Sequence, residues 1–377
     1  VSESEFTYKI GLLAPSRVGK TTLIASLLHE GQRLLVNSQV SMSAADSPTA
    51  KRITLTEGVI RGALRSKDFE PERVPSTSDP SYFRLRLKPR TTETPILFEI
   101  LDYPGGWLED SGGERNAAAW EACQTFLSDS TVLLIPIDSV LLMEAEDRYE
   151  RVLPSQLAIP QMEQLVRIWA KDRRHNSHEP ALVVFCPVKC ESYLCDNGGT
   201  QDLGAELRRR VSREYAGVAQ VVREEAQHAV LRYLPIDTFG CVELKSVKWA
   251  EDAGALGGYK CLPRYRVRGD GIISRMGLDD LMMLLCRQLV TAAQSHSELT
   301  AQMNRVRSEH LRQYAELREG FFRDLWLSWS GRRAERVRRA DASEEEYRMS
   351  VAQSASLFEV LSALSARPEG PRLTYLT

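Results

Sequence analysis

No run of the chain approaches eighteen consecutive apolar residues, so no membrane-spanning helix is expected, and the first residues lack a signal-peptide pattern. A cytoplasmic protein is the expectation on both counts. Neither sign of charge dominates: 49 Lys and Arg against 51 Asp and Glu leave a formal net charge of −2. That balance offers no bulk attraction to nucleic acid, and no nucleic-acid partner is expected. Cysteine is sparse as well. Seven residues, an odd number without regular spacing, do not make a disulfide framework. Cys186, Cys190 and Cys195 cluster, but Cys186 lies in a strand-like run and no histidine follows nearby. Reduced structural thiols are therefore favoured over a zinc site. Between Leu281 and Trp329 glycine and proline are missing except for Gly320, so little there interrupts a helix. What remains is ordinary for a soluble globular chain: 377 residues, 43% hydrophobic and 27% charged. That length holds one large α/β domain with insertions, or such a domain with a helical appendage.

The most informative stretch runs from Ile10 to Thr22, Ile-Gly-Leu-Leu-Ala-Pro-Ser-Arg-Val-Gly-Lys-Thr-Thr. It matches G-x-x-x-x-G-K-[ST] with Ala14 in the first glycine position, followed by Gly19, Lys20 and Thr21. Phe6 to Leu13 reads as a strand, and Thr22 to Leu28 opens a helix. Backbone N–H groups at such a helix N-terminus wrap a phosphate oxyanion, and the helix dipole favours its charge. Ser16, Arg17, Val18, Gly19, Lys20, Thr21 and Thr22 are the expected cradle. Lys20 is placed to span the β- and γ-phosphates, and the Thr21 hydroxyl to meet Mg²⁺. Ala14 is compatible with the pattern if its backbone is ordinary, because only positive-φ positions demand glycine.

Strand-like and helix-like segments alternate beyond the loop. Tyr82 to Leu87 alternates as a strand with one wet face; Pro95–Leu101, Ser130–Ile137 and Ala181–Cys186 are buried-strand runs, and Ala229–Ile236 is a fifth candidate. Helix-like segments fall at 113–128, 155–173 and 203–227. The alternation predicts an α/β fold of the P-loop NTPase (Ras-like) kind, a mostly parallel sheet with helices on both faces. Residues 1–295 form the expected nucleotide-binding domain, with 31–80 as a polar, loop-rich switch region or insertion and 241–276 as a glycine-rich insertion carrying a small hairpin. Residues 296–365 are expected as a long helical extension, with Met303, Val306, His310, Tyr314, Leu317, Phe321 and Leu325 near a 3.5-residue spacing. Residues 366–377 read as a loose tail.

A second phosphate motif lies downstream. Asp102-Tyr103-Pro104-Gly105 caps an apolar strand as D-x-x-G, where an acid beside Mg²⁺ and a glycine N–H that senses the γ-phosphate are needed. A switch threonine is expected just ahead of the Tyr82 strand. Thr77 is the candidate, with Ser76 and Ser78 as rivals. Thr21, Thr77 and Asp102 are thus the expected metal set. Base selection is expected after the Ala181 strand, where the chain reads Val188-Lys189-Cys190-Glu191 against [NT]-K-x-D. Lys189 fits; Glu191 keeps the carboxylate with one more methylene. A carboxylate suits guanine's paired donors better than adenine's edge, so GTP/GDP is favoured, with relaxed selectivity for ATP as an alternative. Thr238 and Phe239 are placed to offer a base-binding backbone N–H.

Gly106 occupies the position where Ras-like enzymes place glutamine, so no side chain there orients water. Arg17 is a candidate arginine finger supplied in cis, worth about 10³-fold where it operates; solvent exposure or pairing with Glu109 or Asp110 is the alternative. Arg17, Lys20 and Thr77 are the expected catalytic residues.

Ser16-Arg17-Val18-Gly19-Lys20-Thr21 and Asp102-Tyr103-Pro104-Gly105-Gly106-Trp107-Leu108-Glu109-Asp110 resemble S-R-x-G-K-T and D-Y-P-G-x-W-L-x-D of the YcjX-like, double-GTPase (DO-GTPase) group of TRAFAC-type P-loop proteins. The resemblance covers roughly residues 6–290, while Lys189 and Glu191 match that group's T-K-x-D less closely. It implies GTP binding and slow, regulated hydrolysis. Arg17 also occupies the position of the internal finger in dynamin-like, guanylate-binding GTPases, which implies a homodimer or a protein partner. The segment 321–340, aromatic and then arginine-rich, admits peripheral contact with the inner membrane; packing on the core is the preferred reading. The expected activity is a Mg²⁺-dependent GTPase switch, with a non-hydrolysing nucleotide-bound scaffold as its rival.

Overall fold

Apolar and alternating runs become strands in the computed structural model, which describes residues 6–38, 40–71, 77–89, 95–110, 116–177, 179–252, 258–289, 291 and 368–376. In chain order the strands are β1 (Phe6–Leu12), β2 (Val40–Ala44), β3 (Asp68–Phe69), β4 (Ser81–Pro89), β5 (Ile96–Asp102), β6 (Val132–Asp138), β7 (Leu182–Val188), β8 (Val230–Tyr233), β9 (Val242–Glu251), β10 (Tyr259–Val267) and β11 (Thr374–Tyr375). The main sheet runs β11-β8-β7-β6-β1-β5-β4-β2, and a small one runs β3-β10-β9. The centre, β8-β7-β6-β1-β5, is parallel. Antiparallel strands flank it on both sides, β4 and β2 at one edge and β11 at the other.

Successive strand side chains point to opposite faces, and both faces of this sheet are apolar. Leu133, Ile135, Val183 and Phe185 pack with Trp120, Phe126, Met162, Trp169, Val211 and Val222 in one core. Their neighbours Val132, Leu134, Leu182 and Val184 pack with Leu23, Leu27, Ile53, Leu281 and Leu285 in the other. Helices Ala117–Asp129, Ile159–His175, Gly204–Glu214 and Ala216–Glu225 supply the first layer; Lys20–Leu35, Ser47–Ala63 and the helix at 278–289 supply the second. The fold is the α/β architecture of P-loop NTPases, with the loops at 13–19 and 189–191 leaving the ends of β1 and β7. Among the described residues, no helix is long and apolar enough to cross a membrane.

Three segments differ from the expectations. Residues 31–80 are not mainly loop: they carry β2, β3 and the helix Ser47–Ala63. Asp46 caps that helix by accepting from the Thr49 N–H at 2.8 Å. Its buried face mixes Thr49 and Thr56 with Ile53, Ile60 and Ala63, so no clean apolar period marks it in the sequence. The segment 203–227 runs as two helices on either side of fully buried Tyr215. Residues 368–376 are not a loose tail. β11 pairs with β8, and Leu373 and Leu376 enter the two cores. The helical extension 296–365, with segment 321–340, lies outside the described residues, as does Ser76; the side chains of Glu109 and Asp110 are likewise not described.

Candidate nucleotide site

The loop after β1 turns through two left-handed residues, Arg17 at φ 62° and Gly19 at φ 107°, before the helix Lys20–Leu35 begins. Ala14 has an ordinary backbone and is fully buried, which is why the first glycine of the motif is dispensable. Arg17 is a non-glycine residue in a conformation that costs about 1–2 kcal/mol. It is held there by its own carbonyl, which accepts from Lys189 Nζ at 2.9 Å. Lys20 is buried and folds back on its loop, donating to the Ala14 carbonyl at 2.9 Å and the Pro15 carbonyl at 3.1 Å. The Tyr103 ring lies 5.0 Å beneath its ammonium, and the Tyr103 hydroxyl accepts from Ala14 N–H at 3.4 Å.

The three residues expected to hold the metal converge. Asp102 Oδ2 accepts from Thr21 Oγ1 at 2.6 Å and from Thr77 Oγ1 at 2.9 Å, and the two hydroxyls stand 3.1 Å apart. Strand register brings this about. β4 lies antiparallel to β5 with Ser81 opposite Asp102, so the residues just before Ser81 fold back over the end of β5. Of the two described rivals, Thr77 reaches Asp102, whereas Ser78 Oγ bonds its neighbour Asp79 at 2.8 Å. Among the described residues, Asp102 Oδ1 is buried without a hydrogen-bond partner. A carboxylate oxygen so placed suits a cation, and the hard oxygen set around it fits Mg²⁺. Among the described residues no cluster of three His, Cys, Asp or Glu could hold a metal, as befits a site built from hydroxyls and one carboxylate.

Gly105 lies flat against the phosphate loop. A Cβ built there would come 2.2 Å from Ser16 N and 2.5 Å from the Pro15 carbonyl carbon, so no other residue fits without moving the backbone. Behind it the short helix Gly106–Asp110 begins, with Trp107 and Tyr103 both packed on Trp120.

At the base end, β7 runs out at Val188 and Lys189 turns left-handed at φ 57°. Lys189 is paired with Asp138, whose other carboxylate oxygen caps the helix Ser139–Met143 through Val140 N at 3.0 Å and Leu141 N at 3.2 Å. Glu191 is buried, and its Oε1 accepts from Phe239 N at 3.5 Å and Gly240 N at 3.4 Å. Burial pushes its carboxyl up to about 7, and the nearby charge of Asp237 adds to the shift. Glu191 therefore reaches the neighbouring loop as well as lining the site.

All the expected site residues meet in a single cavity of about 230 Å³. Ser16 through Thr22, Thr77, Asp102 and Gly105 line one end; Lys189, Glu191, Thr238 and Phe239 line the other. Sequence reasoning missed Tyr103, Ser192 and an apolar wall. Phe69 and Pro71 come from the switch side, and Val242, Leu244 and Tyr265 come from the β9–β10 hairpin. Phe69 packs 5.3 Å from Phe239 and edge-on to Tyr265 at 6.4 Å. The hairpin is tied to the base loop by Ser192 Oγ, which accepts from Leu244 N at 2.7 Å. Polar at the phosphate-loop end and aromatic at the other, the cavity has the chemistry of a site for a phosphorylated, flat heterocycle.

No protein-family model matches the chain, and no curated protein matches it. Among solved structures it is similar to the S. cerevisiae Ski7 GTPase-like domain bound to GTP, at 14% identity and TM-score 0.33, over 62% of this chain and 43% of that one. It is similar to Sup35 complexed with GDP at 13% identity and TM-score 0.26, over 62% of this chain and 38% of that one. A third similarity is to the signal recognition particle receptor SRb-GTP/SRX complex from Chaetomium thermophilum, at 14% identity and TM-score 0.31, over 58% of this chain and 83% of that one. The chain spans less than half the length of the first two.

Proposed function

We propose that this protein is a Mg²⁺-dependent GTP-binding and hydrolysing switch of the double-GTPase kind. The observation that carries the reading is the convergence of Thr21, Thr77 and Asp102 at the mouth of the phosphate loop. The amides of residues 16–21 surround the phosphates, and Lys20 leaves the Ala14 and Pro15 carbonyls to meet them. Thr21, Thr77 and Asp102 would hold Mg²⁺, which would supply positive charge beside the phosphates. Lys189 flanks the base, and Glu191 accepts from guanine's adjacent donors.

The placement of two segments supports the switch reading. Thr77 and Gly105 contact the metal and phosphate region from two segments that the phosphate loop does not itself contain. A ligand shifts such a pair only by its differential affinity, so the γ-phosphate must supply the ordering energy. A partner protein, or a second copy that completes the Arg17 finger, reads the ordered state; turnover by the isolated chain is slow. The protein works in the cytoplasm. Gly106 favours the rival reading of a non-hydrolysing scaffold, because no side chain at that position holds water. Single-turnover hydrolysis of Mg²⁺–GTP separates the two: product formation supports the switch, and retained GTP supports the scaffold.

A further inference from the structure

Arg372 sits in the closing segment of the chain, yet its guanidinium reaches beneath the base loop. Nη2 donates to Asp237 Oδ2 at 2.8 Å, and Nε donates to Asp196 Oδ2 at 2.7 Å. Asp237 is completely buried and directly precedes Thr238 and Phe239. Its remaining contacts are also inward: Oδ1 accepts from Cys190 Sγ at 3.3 Å, and Oδ2 from Asn197 Nδ2 at 2.9 Å. An ionised carboxylate at that depth is costly unless paired and hydrogen-bonded. Arg372 is the cation that pairs it. Burial by itself would lower the proton affinity of Arg372, but its bonds to Asp196 and Asp237 outweigh that and the shift is upward.

The loop at 238–240 is thus held from two sides. Asp237 anchors its start, and Glu191 accepts the N–H groups of Phe239 and Gly240. The nearby charge of Asp237 raises the Glu191 carboxyl further, and Arg372 Nη2 together with Asn197 Nδ2 holds Asp237 Oδ2. Arg372 itself is fixed by its segment: Gly370 N donates to Asp280 Oδ1 at 2.7 Å, and Leu373 and Leu376 are buried.

We infer that Arg372 is a positioning residue for the guanine site: through Asp237 it holds Thr238–Gly240 and Glu191 where the base binds, without touching the nucleotide. The inference rests on the guanine-nucleotide reading above. It makes the C-terminal segment part of base recognition and leaves the phosphate loop independent of it.

The test uses the full chain, freed of nucleotide, titrated calorimetrically with GDP and with inorganic tripolyphosphate, both with Mg²⁺. Arg372→Met should lower GDP affinity about tenfold or more and speed GDP release by a similar factor, while tripolyphosphate affinity stays within about twofold. Arg372→Lys should recover part of the loss. Glu369→Gln, which weakens the same segment's contacts with Arg232 and Arg287, should change neither affinity. In an Asp237→Asn background Arg372→Met should cost less, because the pair is already broken. If Arg372→Met does not accumulate, Asp196→Asn tests the same hold and should weaken GDP in the same direction. Unchanged GDP affinity in these variants, or a parallel loss for GDP and tripolyphosphate, would overturn the inference. A wild-type protein that binds tripolyphosphate but not GDP would instead sink the guanine reading, and this inference with it.

Discussion

Thr77 and Asp102, 25 residues apart, share a 2.9 Å hydrogen bond at the carboxylate oxygen that also accepts from Thr21. The threonine proposed as the switch residue is thus already bonded to the carboxylate proposed to meet the metal. Thr77→Ala should leave GDP affinity within about twofold and remove most of the preference for a non-hydrolysable GTP analogue over GDP, because the residue contributes where the third phosphate is present. Equal preference in variant and wild type, read by calorimetry, would show that Thr77 takes no part in sensing.

Lys20 bridges two loop carbonyls and lies over Tyr103. Lys20→Ala should weaken Mg²⁺–GDP about a hundredfold, the loss of charge-assisted bonds to phosphate, while the thermal transition in the absence of nucleotide shifts little. Calorimetry and thermal denaturation check the two halves separately.

Arg17 combines an exposed side chain with a left-handed backbone. Arg17→Ala should keep GDP binding within about twofold and slow single-turnover hydrolysis at least about tenfold. Arg17→Gly should be as slow but more stable than the alanine variant, since glycine carries no cost at φ 62°. Wild-type turnover that rises with protein concentration is expected if a second copy positions the guanidinium.

Glu191 gives a pH dependence with a definite sign. Burial raises its carboxyl to about 7 from the ordinary 4.5, so the folded protein binds a proton that the unfolded chain releases. Stability should fall as pH rises between those two values and stay lowered above them. Glu191→Gln should therefore raise the thermal transition at about pH 8 and change it less at about pH 5. GDP affinity moves oppositely: only the carboxylate accepts both guanine donors, so affinity should climb between about pH 6 and pH 8, and Glu191→Gln should flatten the climb.

Much of this site was legible because it depends on short motifs tied to strand ends. The loop at 14–21 follows β1, Asp102 ends β5 and Lys189 follows β7, so each motif inherits its position from a parallel strand order that the buried runs announce. Thr77 was legible through its place ahead of an alternating strand. The apolar wall was not. Phe69 reaches the cavity from a two-residue strand paired with β10, and Tyr265 stands opposite it on β10, a pairing between segments roughly 200 residues apart that no local pattern announces. The contact of Arg372 with Asp237 spans 135 residues and carries no local signal. Helix Ser47–Ala63 was hidden by its buried threonines, which read as loop chemistry.

Gly105 offers a steric test. A methyl group there meets the phosphate-loop backbone at 2.2 Å, so Gly105→Ala should cost about 1–3 kcal/mol and separate the D-x-x-G turn from Ser16. Denaturant unfolding measures the loss, and nucleotide titration should show weakened discrimination between triphosphate and diphosphate.

The most direct measurement is calorimetric titration of the nucleotide-free chain with GTP, with and without Mg²⁺ and against excess ATP. One site per chain, binding that tightens with Mg²⁺, and persistence of that binding in ATP are the predicted results. No binding of either nucleotide, or binding indifferent to Mg²⁺, would contradict the assignment of Thr21, Thr77 and Asp102 as the heart of a triphosphate site.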